Sequence, residues 1–426
     1  MKDARYTAVQ ALLRQSTANS YSNLVIDSLI TQNKLDQRDS SFASALFFGT
    51  LERLITIDHI LSAYSAKPLK KLSPAVREIL RTGICQLKFM DGIDDYAAVS
   101  ESVNLVKKMG NAKASGFVNG VLRSFLRDGK TIPPVTGGRT EQLAIEYSCP
   151  AWLIRIWMEH YGEAACLCML ESSLGKPPIY LRANPLKTDA EQLAASLKEQ
   201  GINCFPDSEI VGCVTVNGRV VVERLEAFQQ GLFHVQDKAS QICAISLGAK
   251  PGERVLDVCS APGGKTFTIA QQMKNTGEVI ARDLHAKRAA LVRKGAQRLG
   301  LRIVKASAGD ASVFDESMGV FDRVLCDVPC SGFGIIRRKP EIKYKTPESI
   351  QNLPEIQYKI LKISSQYLKE GGQLVYSTCT LLPAENEQVV AHFLKSNEEF
   401  FLVSQKTYTG ETIDTDGFFV SVLQKR

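Results

Sequence analysis

No run of eighteen apolar residues occurs anywhere in this chain of 426 residues, so no membrane-spanning helix is expected. The first residues, Met1 to Arg14, set Lys2, Asp3, Arg5 and Arg14 around Val9, Leu12 and Leu13. That pattern is an amphipathic helix and lacks the apolar core and small-residue cleavage site of a secretory signal. A cytoplasmic protein is the expectation. Histidine is scarce, with five in all, and none of the eleven cysteines forms a C-x-x-C pair. A zinc site fits poorly, and no metal is expected. Without a secretion signal the cysteines read as free thiols rather than a disulfide framework. Cys85, Cys166, Cys168, Cys243 and Cys326 sit in apolar runs and read as packing residues. Internal repeats and low-complexity stretches are also missing.

What is present is a globular composition long enough for two or three domains. The net charge of +7 is mild, but it is unevenly placed. Residues 1–140 hold 19 Lys and Arg against 12 Asp and Glu, whereas residues 141–426 hold 33 of each. The asymmetry suggests a module that docks on a polyanion beside a neutral catalytic one; a basic face that is merely solvated is the plainer alternative.

The chain is organised around Val255-Leu256-Asp257-Val258-Cys259-Ser260-Ala261-Pro262-Gly263-Gly264-Lys265-Thr266. An apolar strand runs into small residues, a proline and two glycines, and a helix begins at about Lys265. Such a turn lets a ligand approach the backbone, beside the free N–H groups of a helix N-terminus. A P-loop is excluded, because its first glycine falls at Cys259. Later segments repeat the logic. Strands are expected over Glu278–Asp283, over Ile303–Ala306 leading to Asp310, over Phe321–Cys326 leading to Asp327 and Cys330, and over Gln373–Tyr376 leading to Cys379. Helical patterns at 285–299 and 349–370 separate them. Ligands of doubly wound sheets bind beyond the carboxyl ends of the strands, and every one of these ends carries a carboxylate or a thiol. They read as one active site.

The rest of the chain divides in order. Residues 1–139 form a first domain that reads as all-helical over 1–128, with helices over 4–14, 22–32, 39–64, 74–90, 97–109 and 114–127. Ser73 is expected as an N-cap ahead of Pro74. Lys70, Lys71, Arg77, Arg81, Lys107, Lys108, Lys113, Arg123 and Arg127 are available to contact phosphate. The Gly- and Pro-rich stretch 128–139 reads as a linker. Residues 140–235 form a small α/β unit. It has helix over 140–175, with Trp152 and Trp157 as core or interdomain contacts, a strand at 179–184 and a helix from about 188 to 200, with Asp189 and Glu191 in its first turn. Short strands are expected near 210–216 and 219–223, and the segment 231–237 holds His234 as a structural residue. Residues 236–426 form the Rossmann-like catalytic domain.

Asp283 lies where an acid can accept both hydroxyls of a ribose, and Asp310 can bond an adenine edge. Without G-x-G-x-x-G, a compact cofactor such as S-adenosylmethionine fits better than a dinucleotide. The thiols then suggest the chemistry. C5 of a pyrimidine is a poor nucleophile until a thiolate adds at C6, and a base must afterwards remove the C5 proton. Asp327 is placed to hydrogen-bond the base. The residues alone leave open which thiol attacks, and whether one of the pair is inert.

The stretches Asp257–Thr266, Asp327-Val328-Pro329-Cys330-Ser331-Gly332 and Tyr376-Ser377-Thr378-Cys379-Thr380 resemble the RNA cytosine-C5 methyltransferases with two motif cysteines. Gln236-Asp237-Lys238-Ala239-Ser240, Arg182-x-Asn184 and Asp416-Gly417-Phe418-Phe419 add to the likeness. Ile335–Tyr344 looks like the bacterial 16S rRNA branch, the RsmB, Sun or Fmu type, and the helical first third is similar to the NusB fold. This resemblance implies an all-α NusB-like RNA-binding domain, a small α/β connecting domain and an α/β Rossmann-like S-adenosylmethionine-dependent methyltransferase domain. It assigns Cys379 as the C6 nucleophile and Cys330 to product release. It places cofactor contacts on Cys259, Ser260, Ala261, Pro262, Gly263, Gly264, Lys265, Asp283, Asp310 and Asp327. Ser260 departs from the family's common Ala, and Phe333-Gly334 is a variable position. The implied substrate is a 16S rRNA cytosine, conventionally numbered 967, in RNA or an early small-subunit assembly intermediate, and a monomer is expected. Two other readings compete: the same chemistry on tRNA or 23S rRNA, and a non-catalytic RNA-binding or antitermination-like factor.

Overall fold

The computed structural model describes residues 3–16, 22–218, 220–411 and 413–426. Met1 and Lys2 of the expected first helix, and Arg219 of the strand expected at 219–223, lie outside the described residues. The chain forms two compact units, one of residues up to Cys166 with Lys339–Tyr344, the other of Leu167–Arg338 and Lys345–Arg426. Among the described residues no helix is long and apolar enough to cross a membrane.

The first unit is helical: α1 (Ala4–Gln15), α2 (Ser22–Asn33), α3 (Gln37–Glu52), α4 (Leu54–Tyr64), α5 (Pro74–Phe89), α6 (Asp95–Lys108), α7 (Ser115–Arg127), α8 (Arg139–Glu146) and the start of α9 (Ala151–Ser172). Local chemistry starts these helices. Asp3, Asp36 and Asp94 each accept an N–H three residues on, and so does Ser73 directly before Pro74. Each such cap contributes about 1 kcal/mol. The apolar stripes meet in a core that includes Ala8, Leu46, Phe47, Ile60, Ile79, Leu122 and Phe125, all without solvent exposure. Trp157 is buried as well, and Trp152 is half-buried.

The single helix expected over 39–64 is two. Arg53, at φ −110° and ψ 15°, separates α3 from α4. Two long-range bonds hold the bend: Ile55 N–H donates to Ser148 Oγ at 2.9 Å, and Thr56 Oγ1 donates to the Ile145 carbonyl at 2.5 Å. The bend also frees carbonyls at the end of α3, which helix geometry leaves without intrahelical donors. Residues of the 339–344 segment take them. Lys343, fully buried, donates to the Glu52 carbonyl at 2.7 Å, and the Tyr344 hydroxyl donates to the Leu51 carbonyl at 2.5 Å. Burial pulls the Lys343 pKa down to about 8. The long helical stretch expected over 140–175 is likewise interrupted, at Gly162 with φ +84°.

The second unit opens with β1 (Ile179–Ala183), α10 (Ala190–Glu199), β2 (Cys204–Pro206), β3 (Cys213–Val216), α11 (Glu226–Gln229) and β4 (Phe233–Val235). These strands form an antiparallel sheet ordered β2-β3-β1-β4. Three expectations need correction. Asp189 caps α10 by accepting the Gln192 N–H, so it precedes the first turn. The strand expected at 210–216 begins only at Cys213, and Val222–Arg224 is a 3-10 turn. His234 is buried and bonded to Gln236, and burial drives its pKa down to about 3, as suits a structural residue. Asn184, fully buried, donates to the Gly231 and Leu299 carbonyls at 3.0 and 2.9 Å and so ties this sheet to the helix that ends at Leu299.

The remainder is α12 (Lys238–Ser246), β5 (Arg254–Asp257), α13 (Gly264–Gln272), β6 (Glu278–Asp283), α14 (Ala286–Leu299), β7 (Val304–Ala308), β8 (Phe321–Asp327), α15 (Pro347–Ile350), α16 (Leu353–Gln366), β9 (Leu368–Thr378), α17 (Glu387–Ser396), β10 (Phe400–Tyr408) and β11 (Phe418–Lys425). The sheet order is β10-β11-β9-β8-β5-β6-β7. All five expected strands are there and run parallel. The antiparallel pair β10–β11 at one edge was not expected. The strand order reverses beside β5, because β6 and β7 add on one side and β8 on the other. A ligand crevice forms at such a reversal.

Candidate active site

The turn after β5 is built by its small residues. Gly263 takes φ +113°, a left-handed conformation that a side chain would strain, and a Cβ there would also strike the Phe267 ring. The Ala261–Pro262 peptide is cis. Ser260 N–H donates to the Arg282 carbonyl at 2.8 Å, and Ala261 N–H to Asp283 Oδ2 at 3.3 Å. Asp283 is buried and also accepts the His285 N–H at 3.2 Å, with Arg288 at 3.5 Å. Ser260 Oγ is buried with no hydrogen-bond partner among the described residues. An orphaned hydroxyl, a held carboxylate and the first-turn N–H groups of α13 fit a compact polar cofactor such as S-adenosylmethionine. Asp310 stands further out. It is exposed, and the backbone and hydroxyl of Ser312 hold its carboxyl below the usual range.

Strand register brings the thiols together. Asp327 on β8 lies opposite Ser377 on its parallel neighbour β9. Cys330 and Cys379 therefore follow adjacent strand ends, and their sulfurs are 3.3 Å apart. Both are half-buried. The contact with Cys379, then burial, pushes the Cys330 thiol well above its ordinary range. Two thiols this close disfavour a double negative charge, so the pair does not ionise twice. Cys243 and Cys326 are fully buried and pushed up to about 12, as inert packing thiols should be. Burial also pushes Cys259 well up.

Lys265 and Asp327, both expected at the site, form an ion pair that nothing in the local sequence foretells. Lys265 Nζ is 2.8 Å from Asp327 Oδ2 and 3.3 Å from Ser240 Oγ, and Ser377 Oγ donates to Asp327 Oδ1 at 2.9 Å. Burial disfavours the Lys265 charge, yet the Asp327 carboxylate more than offsets this and holds the Lys265 pKa above the ordinary lysine range. Lys265 is thus a permanent cation beside the thiols. Next to it, burial raises Asp257 to about 7 against the hydrogen bond donated by Thr266 Oγ1 at 2.6 Å.

The motif residues beyond the thiols prove to be structural ties. Arg337 Nε bonds Asp416 Oδ1 at 2.6 Å, Arg338 Nε bonds Asp416 Oδ2 at 2.5 Å, and Arg338 Nη2 bonds Asp237 Oδ1 at 3.0 Å. Gly334 N–H donates to the Cys379 carbonyl at 2.9 Å, and Gly417 N–H donates to the Gly334 carbonyl at 2.8 Å. A Cβ at Gly334 would strike the Gly417 carbonyl, so only glycine lets these backbones meet.

The basic residues of the first unit are not equivalent. Lys70, Lys71, Lys107, Lys108, Lys113, Arg123 and Arg127 are exposed, as phosphate contacts require. Arg81 is not available. Its side chain is 14 % exposed and grips Asp58 through two nitrogens and Glu78 through a third. Arg77 is half-buried against Glu78 at 3.0 Å.

Residues 244–424 match the family model described as 16S rRNA methyltransferase RsmB/F, residues 2–127 the NusB family, and residues 149–223 a Methyltr_RsmF/B-like ferredoxin-like domain. The chain is 37% identical to a probable ribosomal RNA small subunit methyltransferase B of Bacillus subtilis, over 93% of this chain and 89% of that one. A probable ribosomal RNA small subunit methyltransferase B of Synechocystis is 32% identical over the full length of both. Among solved structures, PH0851 shares the fold, with a TM-score of 0.84 and 24% identity over 99% of this chain and 98% of that one.

Proposed function

Because the chain belongs to the RsmB/F family of 16S rRNA methyltransferases, we propose that it methylates C5 of one 16S rRNA cytosine through a covalent cysteine adduct. S-adenosylmethionine is the cofactor, and when bound it supplies an electrophilic methyl group. The observation that carries the reading is the 3.3 Å contact between the Cys330 and Cys379 sulfurs. A single thiol serves a nucleophile; two thiols in contact at the cofactor end of the sheet suit a nucleophile and its release partner.

In this reading Cys259 through Lys265, Asp283 and Asp310 hold the cofactor. Asp327 holds the base while Lys265 balances its charge. Cys379 Sγ bonds to C6 of the cytosine, and the ring electrons shift so that C5 becomes the nucleophile and takes the methyl group. Cys330 aids release: a base removes the C5 proton, the C5–H electrons restore the C5–C6 double bond, and the Cys379 thiolate leaves. The target base must leave its stack first, at a cost of a few kcal/mol. The exposed cations of residues 1–139 dock on RNA phosphates, residues 140–235 connect, and residues 236–426 catalyse. The substrate is 16S rRNA or an early small-subunit assembly intermediate, and the target is the family's cytosine 967.

Bisulfite mapping of unmodified 16S rRNA, before and after incubation with the protein and labelled cofactor, tests this. One protected cytosine, at the expected position, is the predicted result. Label on another atom, or on tRNA or 23S rRNA alone, overturns it.

A further inference from the structure

Each thiol is followed by a hydroxyl residue, and the two hydroxyls touch. Ser331 Oγ and Thr380 Oγ1 are 2.7 Å apart, and both side chains are fully buried. Behind them lies the turn Pro383–Glu385, followed by Asn386 and then α17, and Glu385 and Asn386 are at 1% and 0% exposure. Glu385 Oε2 accepts the Ser331 N–H at 2.9 Å and Gln357 Nε2 at 2.7 Å. Gln357 Nε2 also donates to the Pro329 carbonyl at 3.0 Å. Both residues flanking Cys330 are therefore held from one carboxylate. Asn386 does the same for the other thiol. Its Oδ1 accepts Thr378 Oγ1 at 2.5 Å, and its Nδ2 donates to the Thr380 carbonyl at 3.0 Å. The Tyr376 hydroxyl closes the frame by donating to the Glu385 carbonyl at 2.6 Å.

We propose that the buried Glu385–Asn386 pair is the positioning element of the two thiols: Glu385 fixes the Cys330 loop and Asn386 the Cys379 turn. The inference rests on the cysteine-adduct reading above for its consequence in catalysis, but its geometry stands apart from it. The two side chains act through the residues on either side: the Asn386 amide uses both its oxygen and its nitrogen, and one Glu385 oxygen accepts two bonds. The bonds that are made fix the backbone on either side of both thiols, while Glu385 Oε1 and Gln357 Oε1 are buried with no hydrogen-bond partner among the described residues. A thiol moved by about 1 Å from its attack geometry loses about a hundredfold in rate. Glu385 adds its negative charge to the forces that keep Cys330 protonated, which suits a group that is not the nucleophile.

The test uses the full chain with Asn386→Ala, Glu385→Ala and Glu385→Gln. The first measurement is methyl transfer to 16S rRNA at varied RNA and cofactor. The second needs no substrate: the rate at which diamide closes a Cys330–Cys379 disulfide, followed by peptide mass. In that step the sulfurs bond, and the two thiol hydrogens pass to the azo group, reducing it to a hydrazine. The two Ala variants are expected to lose about tenfold to a hundredfold in kcat with both KM values little changed, and to close the disulfide more slowly. Glu385→Gln, which still accepts the Ser331 N–H, recovers part of both. Wild-type kcat in the Ala variants overturns the proposal, and so does a lost kcat with an unchanged disulfide rate. Should Asn386→Ala fail to fold by circular dichroism, Thr380→Val removes one hydroxyl of the frame and carries the same two readouts. If the wild-type protein transfers no methyl group while the variants still slow disulfide closure, the positioning stands and the adduct reading falls.

Discussion

Lys265 Nζ and Asp327 Oδ2 meet at 2.8 Å, one from the first turn of α13 and the other from the end of β8. The lysine belongs to the turn beside the cofactor place, and the aspartate leads into the Cys330 loop. One ion pair thus joins the two halves of the candidate site. Removing one partner of a largely buried pair leaves the other uncompensated, although the 29% exposure of the Asp327 side chain softens that penalty. Lys265→Met is expected to lower methyl transfer by about a hundredfold, or about 3 kcal/mol of barrier. Single-turnover kinetics checks this, and a loss under about threefold contradicts it.

The thiol pair makes opposite predictions for its members. Cys379→Ser replaces the sulfur nucleophile with a weak alcohol and should abolish turnover. Cys330→Ser should leave attack possible but block release, so that RNA migrates with the protein on a denaturing gel. If instead Cys379→Ser traps RNA and Cys330→Ser is inactive without an adduct, the two roles are exchanged.

Asp257 predicts a pH signature. Its folded pKa of about 7 lies above the ordinary value of 3.8. Between those values the folded protein holds a proton that the unfolded chain releases, so stability falls as pH rises from about 4 to 7 and is level above. Asp257→Asn cannot lose that proton. Relative to wild type it should gain stability across this window, by at most about 4 kcal/mol. Urea unfolding of both proteins from pH 4 to 8 measures the difference, and a gap that does not change with pH refutes the burial argument.

Two kinds of basic residue should separate experimentally. The Lys70→Ala, Lys71→Ala double variant should weaken RNA binding and flatten its salt dependence by about 0.7 to 0.9 for each phosphate no longer neutralised, with little change in melting temperature. Arg81→Ala should do the reverse, because it takes both of its bonds from Asp58 and leaves the buried Glu78 with Arg77 alone. A stability loss of about 3 kcal/mol is expected. Filter binding across salt and thermal melting read the two outcomes.

Much of this fold is open to a reader of residues alone, and the reasons are physical. The five parallel strands are short apolar runs that stop at an acid or lead to a thiol, and a parallel sheet needs such ends to meet at one rim. Ser73 announces its helix because a cap works through bonds three residues away. What stays hidden depends on distant partners. Nothing in the apolar spacing of 39–64 marks Arg53 as a break, since the bonds that bend it come from Ser148 and Ile145. Arg81 looks like any other exposed cation in the sequence, because its claimant Asp58 sits on the preceding helix α4. Glu385 and Asn386 read as polar residues of a surface turn, because the backbone that Glu385 holds, at Ser331, lies 54 positions earlier. Motif residues are easier to find than the frame behind them.

The six residues Lys339–Tyr344 fold with the helical unit, although the chain on both sides of them builds the other. Modularity here is therefore not that of beads on a string. A chimera that trades the first 166 residues for those of a relative must trade this hexapeptide too, or Lys343 loses the helix end whose carbonyl it caps. An excised catalytic half would expose the same short segment just downstream of Cys330, and inheritance of the two parts is bound together at that point.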